Sequence, residues 1–491
     1  MSSSLEQAAA KGALFTLSAQ AARIVIQLAS VVVLARMLSP HDYGLLAIAL
    51  VVVGFGEMFR DFGLTSASIQ ASELTSVQRD NLFWVNTLIG FMLAVLMFCS
   101  SWYLGALTSE PQLVGIAQWL ALTFVINGLA AQHRAMLMRH LQLRGLSIVD
   151  VIASASALGT AVVAALLGAG YWALVVQQLT VAGITLIGVV AVGRWLPRRY
   201  SRSASIRSLL HFGWSLVATN MIGYAARQID TVLIASRFGT VSLGLYNRAF
   251  QLVMTPLGQV RSPLQSVGLP LLSRVQEDTA RFNTYVVAAQ LALGYLIGIP
   301  LAIAAGLAEP VVEIMLGHKW SDAAPLVRMF AIAGLLTTLS FVGYWVYLSR
   351  GLGGALLRYT IVTTVIKIVC IAVGSLFGVV GVAIAFAVHP AIAWPISLAW
   401  LSRVTPMPRR RLYEGATRIV ILTLAAGSAA YCATVLLPTA PIAQLLVGTG
   451  AGLLFAAASL ALPVYRRDAA SLSVFVRLMV KRVPGSQGSS V

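Results

Sequence analysis

The chain has 491 residues, of which 58% are hydrophobic and 10% charged, and its mean hydropathy is +0.86. A soluble fold carries about 25% charged residues, so a set of soluble domains is excluded and the length is assigned to membrane-crossing segments. The net charge of +18 raises nucleic acid as a partner, but the hydropathy excludes a soluble nucleic-acid binder, and basic loops on one side of a membrane account for the excess.

Residues 1–11 are polar with a weak amphipathic pattern. The apolar run that follows, about 12–35, is too long for a signal-peptide core and lacks a small-residue cleavage site, so it is read as a first span. A spanning helix needs about 20 mostly apolar residues. Further runs fall at about 43–60, 82–105, 113–132, 146–168 and 171–193, followed by a basic linker at 194–208. A second set falls at about 209–236, 243–270, 284–307, 325–348, 355–377 and 380–402, followed by a second basic linker at 403–418. Two more runs, about 419–437 and 443–463, precede a basic tail at 465–491. The expected fold is an all-α integral membrane protein of about fourteen transmembrane helices. Spans 1–6 form an N-lobe (1–193), spans 7–12 a C-lobe (209–402), and spans 13–14 (419–464) an appendage.

With the N-terminus in the cytoplasm, both basic linkers, the tail and most other Lys and Arg residues fall on that side. Only Arg36, Arg237 and Lys319 fall on the other. The positive-inside rule then places both termini in the cytoplasm. Cys99, Cys370 and Cys432 lie singly in apolar runs and the His residues are scattered, so neither a disulfide frame nor a metal site is expected. There is no Walker A motif and no hydrolase motif. No cofactor and no enzymatic activity are expected.

The halves share weak matches at an offset near 200. Val33-Leu34-Ala35 matches Leu233-Ile234-Ala235, Gly44-Leu45 matches Gly244-Leu245, and Glu110-Pro111 matches Glu309-Pro310. Six spans per half make this a parallel repeat, for which a site is expected between the halves near the midplane.

Polar residues inside the spans are the candidate site. Gln20, Arg23, Gln27 and Ser30 share one face of span 1, and Asn220, Gly223, Arg227 and Asp230 occupy the equivalent face of span 7. Span 8 adds Asn247, Arg248, Gln251, Thr255, Gln259 and Ser262 around Pro256 and Pro263, and Lys367 lies in span 11. A charge at the bilayer centre costs about 2.5–3.5 kcal/mol on insertion scales, so such groups are expected to line a wet, cationic cavity. The competing reading is local packing, with Arg227 paired to Asp230 and the amides acting as interhelical glue of about 0.6 kcal/mol each. Glu57 is read as a partner of Arg60, Arg261 as structural, Asp150 as a helix N-terminal dipole partner, and His41-Asp42 as a turn.

Several stretches carry a resemblance. They are LARMLSPHDYGLLAIA at 34–49, RDFGLTSASIQ at 60–70, LFWVN at 82–86, HRAMLMRHLQLRGLSIVDVIA at 133–153 and GYWALVVQQL at 170–179. The second half has IDTVLIASRFG at 229–239, LGLYNRAFQLVMTPLG at 243–258, LPLLSRVQED at 269–278 and LAEPVVEIMLGHKW at 307–320. In their order and spacing they resemble the Wzx-type polysaccharide and O-antigen flippases of the multidrug/oligosaccharidyl-lipid/polysaccharide exporter superfamily. That resemblance implies two six-helix lobes forming a V, plus two C-terminal helices. It implies a lipid-linked oligosaccharide substrate, carried on undecaprenyl pyrophosphate across a bacterial inner membrane for exopolysaccharide, capsule or O-antigen assembly. Arg23, Gln27, Arg227, Asp230, Asn247, Arg248, Gln251 and Lys367 are the positions assigned to the translocation cavity. Membrane lipids are partners; a coupling ion (a proton or Na+) and polysaccharide polymerase or export machinery are further candidates. A drug/cation antiporter of the same superfamily favours an anionic cavity, against the excess of Arg and Lys in these spans. A peptidoglycan-precursor flippase matches these stretches less well. A polysaccharide polymerase or ligase would need a large periplasmic loop, which the chain lacks.

Overall fold

The computed structural model describes the backbone of residues 2–61, 64–71, 73–201, 207–436 and 440–480. Side chains are described within these ranges except at 2–14, 16–17, 61, 66–67, 70, 207–220, 222, 267 and 472–480. Among the described residues all regular structure is helical. The chain divides into two compact units, Met1–Asn247 and Arg248–Val491.

The first unit contains α1 (Ser2–Met37), α2 (Pro40–Asp61), the short α3 (Leu64–Gln70), α4 (Ser76–Thr108), α5 (Gln112–Arg139), α6 (Leu143–Leu166) and α7 (Trp172–Gly193). It also takes the first part of α8 (Arg207–Arg274). The second unit takes the rest of α8, then α9 (Thr279–Gly306), α10 (Ala308–Met315), α11 (Ala324–Ser349), α12 (Gly353–Gly374) and α13 (Gly378–Val404). It ends with α14 (Arg409–Leu436), α15 (Pro441–Ala458) and α16 (Pro463–Val480). The last of these is a helix where the sequence reading had only a basic tail.

Eleven segments among the described residues are long and apolar enough to cross a membrane. One of them, Gly353–Val404, holds both α12 and α13 across a break at Gly378, whose φ of 83° favours glycine. The long α8 breaks in the same way at Gly239, where φ is 77° and ψ −178°. Local chemistry sets the other boundaries. Thr75 and Gln78 form a reciprocal capping box that starts α4, and the Asp278 carboxylate accepts from the Arg281 amide to start α9.

Packing within the first unit follows the rules for a hydrocarbon solvent. From Gly90 onward the buried positions of α4 are Gly90, Ala94, Met97, Ser101 and Gly105, mostly small residues at intervals of three or four. The large apolar side chains Phe91, Met92, Leu96 and Trp102 point outward. Lipid is as apolar as leucine, so nothing is gained by burying leucine, and close backbone approach between helices dominates instead. Gly90 lies against the Phe124 carbonyl of α5, and Gly128 of α5 lies against the Asn86 carbonyl of α4, so a Cβ at either would collide with main chain.

A second close approach joins α2 to the part of α8 that follows Gly239. A Cβ at Gly44 would overlap the Thr240 carbonyl, and a Cβ at Gly244 would overlap the Pro40 carbonyl. The two contacts are mutually reciprocal, and their partners are separated by the same offset as the sequence matches. Beside them Thr240 donates its hydroxyl to Glu110 at 2.9 Å, and His41 lies 3.4 Å from the same carboxylate. Asp42 accepts from the amide and hydroxyl of Ser39, which fixes the turn between α1 and α2.

The second unit is more conventionally cored. Leu257, Phe282, Val286, Leu293, Trp345, Tyr347 and Leu401 form one buried apolar cluster drawn from α8, α9, α11 and α13. Arg261 of α8 enters this region and donates to the Gly334 carbonyl at 3.1 Å and the Thr338 hydroxyl at 2.7 Å on α11. Its guanidinium also lies over Phe341.

Candidate functional site

In the first unit the charged candidates fall into two places. Arg23 of α1 reaches Asp150 of α6 at 3.4 Å, and Arg134 of α5 grips the same carboxylate with both guanidinium nitrogens, at 2.8 and 3.0 Å. Asp150 sits inside α6, not at its first turn, and two arginines hold it. The dipole reading is therefore corrected: it is an ion-pair centre tying three helices. The side chain of Arg23 remains 38% exposed, so the pair only partly occupies it. Gln27, one turn on, is exposed, and Ser30 accepts from Gln177 of α7 at 2.8 Å.

The second place is α8. Arg227 is exposed, and its guanidinium lies along Gly223, where the missing side chain leaves room for it. Asp230 faces another way. It is 4% exposed, accepts the Tyr246 hydroxyl at 2.8 Å, and receives the Thr231 amide at 3.1 Å. Among the described residues Arg227 and Asp230 form no ion pair, so the local pairing considered from sequence is not what the structure contains. Asn220, the fourth position of that face, lies outside the described side chains. Asn247 is half-buried at the end of the unit.

Nearby in the same unit, Glu57 accepts from the Arg60 guanidinium at 2.6 Å and from the Asn127 amide at 2.9 Å, so its role is that of a local partner. Tyr224 of α8 donates toward the carbonyls of Leu50 and Val51, accepts from Gln228 at 3.0 Å, and packs on Phe55 edge-to-face. Its hydroxyl occupies the space beside Gly54.

The second unit brings three candidates onto neighbouring elements. Arg248, 6% exposed, donates to the Gln251 amide oxygen at 2.9 Å, one turn along α8. Between them Phe250 packs edge-to-face on Phe330 of α11 and Phe386 of α13, with centroids 5.3 and 5.8 Å away. The Lys367 ammonium of α12 lies 5.3 Å from the Phe386 ring centroid. An aromatic face attracts a cation electrostatically, so the Phe cluster holds Lys367 in a region otherwise costly for charge. His389 of α13, next to this cluster, contacts the Thr363 carbonyl at 3.0 Å. Sequence reasoning missed the aromatic cluster. Its signal was present, since Phe250 lies between two named polar residues, but the pairing with Phe330 and Phe386 is long-range.

Among the described residues no cluster of His, Cys, Asp or Glu has metal-binding form. Arg, Lys and carboxamides of this kind are donors chemically suited to polar and anionic matter. Arginine presents a planar fork of donors suited to phosphate.

Residues 33–325 match the family model described as polysaccharide biosynthesis protein. The lipopolysaccharide biosynthesis protein WzxC of Escherichia coli (strain K12) is 24% identical over 393 residues, 78% of each chain. The succinoglycan biosynthesis transport protein ExoT of Rhizobium meliloti (strain 1021) is 27% identical over 357 residues, 72% of each chain. Among solved structures, a lipid II flippase MurJ in an inward closed conformation superposes with a TM-score of 0.70 at 14% identity, covering 93% of this chain and 99% of that one. An inward-facing multidrug resistance transporter of the MATE family and MOP superfamily gives 0.60 at 14% identity, covering 83% of this chain and 98% of that one. At such identities the likeness is one of fold.

Proposed function

The chain belongs to the polysaccharide biosynthesis protein family, and from that premise we propose that it flips a lipid-linked oligosaccharide across a bacterial inner membrane. The headgroup moves from the cytoplasmic to the periplasmic leaflet, for exopolysaccharide, capsule or O-antigen assembly. The observation that carries this reading is the presence of accessible cations inside apolar helices. Among the described residues Arg227 is exposed and forms no ion pair, and Arg23 is only partly engaged by Asp150.

The physics of the substrate fits. Each sugar hydroxyl left unpaired in hydrocarbon costs several kcal/mol, and a pyrophosphate costs more. A path lined by Arg, Lys and amides replaces lost hydration, while a prenyl tail stays in lipid at no cost. Access from alternate sides then requires rocking of one repeat against the other. Fourteen crossings with both termini cytoplasmic are part of this proposal, as are the two six-helix repeats. Arg23, Gln27, Arg227, Asp230, Asn247, Arg248, Gln251 and Lys367 are the residues it assigns to the path. Asp230, held by Tyr246, is the carboxylate at which coupling to a proton or Na+ belongs.

Arg227→Ala and Arg248→Ala are expected to reduce polymer export at least tenfold while membrane levels of the protein stay unchanged. A tenfold loss corresponds to about 1.4 kcal/mol, well within the worth of one charge-assisted contact to phosphate. Export measured at the wild-type rate in either variant removes that residue from the path.

A further inference from the structure

The segment after α7 is irregular in backbone but fixed at four points. Asn81 of α4 donates to the Ser201 carbonyl at 2.6 Å and accepts the Ser201 amide at 2.9 Å. The Trp84 indole donates to the Arg198 carbonyl at 2.7 Å. Trp195 lies under the Arg79 guanidinium at 4.2 Å and against the His133 ring at 4.6 Å, with Phe83 closing the same aromatic cluster. Residues 194–201 thus form a strap across the ends of α4 and α5.

This anchoring determines what the strap displays. Trp195 and Ser201 are turned to the protein, so Arg194, Leu196, Arg198, Arg199 and Tyr200 stand outward, with Leu196 77% exposed. Among the described residues no carboxylate pairs with the three arginines. The sequence supplies none locally, since no Asp or Glu occurs between Asp150 and Asp230. Asp80, adjacent to Arg79 in sequence, is buried and engaged by it. The strap follows directly on the end of an apolar helix, beside the exposed Trp84, and so belongs at the membrane edge. Aromatic and leucine side chains flanked by arginines at that depth match a lipid interface: apolar groups enter the acyl boundary and guanidinium groups meet phosphates.

We propose that the strap at 194–201 is a built docking surface for anionic phospholipid headgroups, aimed by its hydrogen bonds to Asn81 and Trp84. It is independent of the transport reading, because its partner is bulk anionic lipid and not the transported one. Unlike a free basic loop, the strap arrives already ordered, so binding lipid costs little further entropy.

The test uses purified full-length protein in detergent, titrated with phosphatidylglycerol or phosphatidylethanolamine, with bound lipid counted by native mass spectrometry. Wild type is expected to prefer phosphatidylglycerol by more than tenfold at low salt, the preference fading as salt rises. The variant carrying Arg194→Gln, Arg198→Gln and Arg199→Gln is expected to lose the preference. The matching Lys triple variant retains it, which separates charge from fold. Equal preference in wild type and the Gln variant overturns the proposal. So does a Gln variant that keeps phosphatidylglycerol but loses undecaprenyl pyrophosphate, since the arginines then serve the transported lipid.

Discussion

Arg23 and Arg134 meet one carboxylate with different geometry, and the difference separates their roles. Arg134 forks onto both oxygens of Asp150, whereas Arg23 touches one of them at 3.4 Å and keeps much of its surface free. Arg134→Gln is therefore expected to lower stability by about 1–2 kcal/mol, the value for a two-point pair discounted for partial exposure. Arg23→Gln is expected to leave thermal unfolding in detergent nearly unchanged and to reduce export instead. Equal losses of stability in both variants would make Arg23 a packing residue. Much of this was legible from the chain. Helical spacing alone placed Arg23, Gln27 and Ser30 on one face, whereas Asp150 was read only as a helix N-terminal dipole partner. What spacing does not reveal is partner choice. Arg227 and Asp230 are one turn apart, yet Asp230 turns to Tyr246, sixteen residues on, because burial lets the tyrosine hydroxyl reach it across the break at Gly239.

At the level of elements, the reciprocal contact between Gly44 and Gly244 is the most specific feature. Each glycine admits the other segment's carbonyl, so the two behave as one crossing and not as two independent sites. Gly44→Val and Gly244→Val are each expected to destabilise by about 1–3 kcal/mol through overpacking. The double variant should cost clearly less than the sum, because the first substitution already opens the crossing. Additive losses in thermal unfolding would show the contacts to be separate. The offset linking these glycines was visible in sequence, but their mutual contact was not, since a weak repeat says nothing of which copies touch. Short α3 and α10 also escaped the hydropathy reading: each is too brief to give an apolar run, and neighbouring helices define them.

On the scale of the whole molecule, arginine placement predicts orientation. A cytoplasmic reporter fused after Val491 should be active and a periplasm-dependent one silent; the opposite pattern would reverse the proposed topology. Composition made the membrane class plain, because 10% charge leaves no room for an ordinary wet surface. Less accessible was that residues 194–201, a basic stretch on paper, bind back onto α4 through Asn81. The interior of α4 has one last implication. From Gly90 onward its contact face is mostly glycine, alanine and serine, while most of its bulk there faces outward. Sequence drift in relatives of such a helix should run inside out: outward phenylalanine and leucine exchange freely for one another, while the inner row resists even one added methyl group. A substitution matrix drawn from soluble proteins would then misjudge kinship along it.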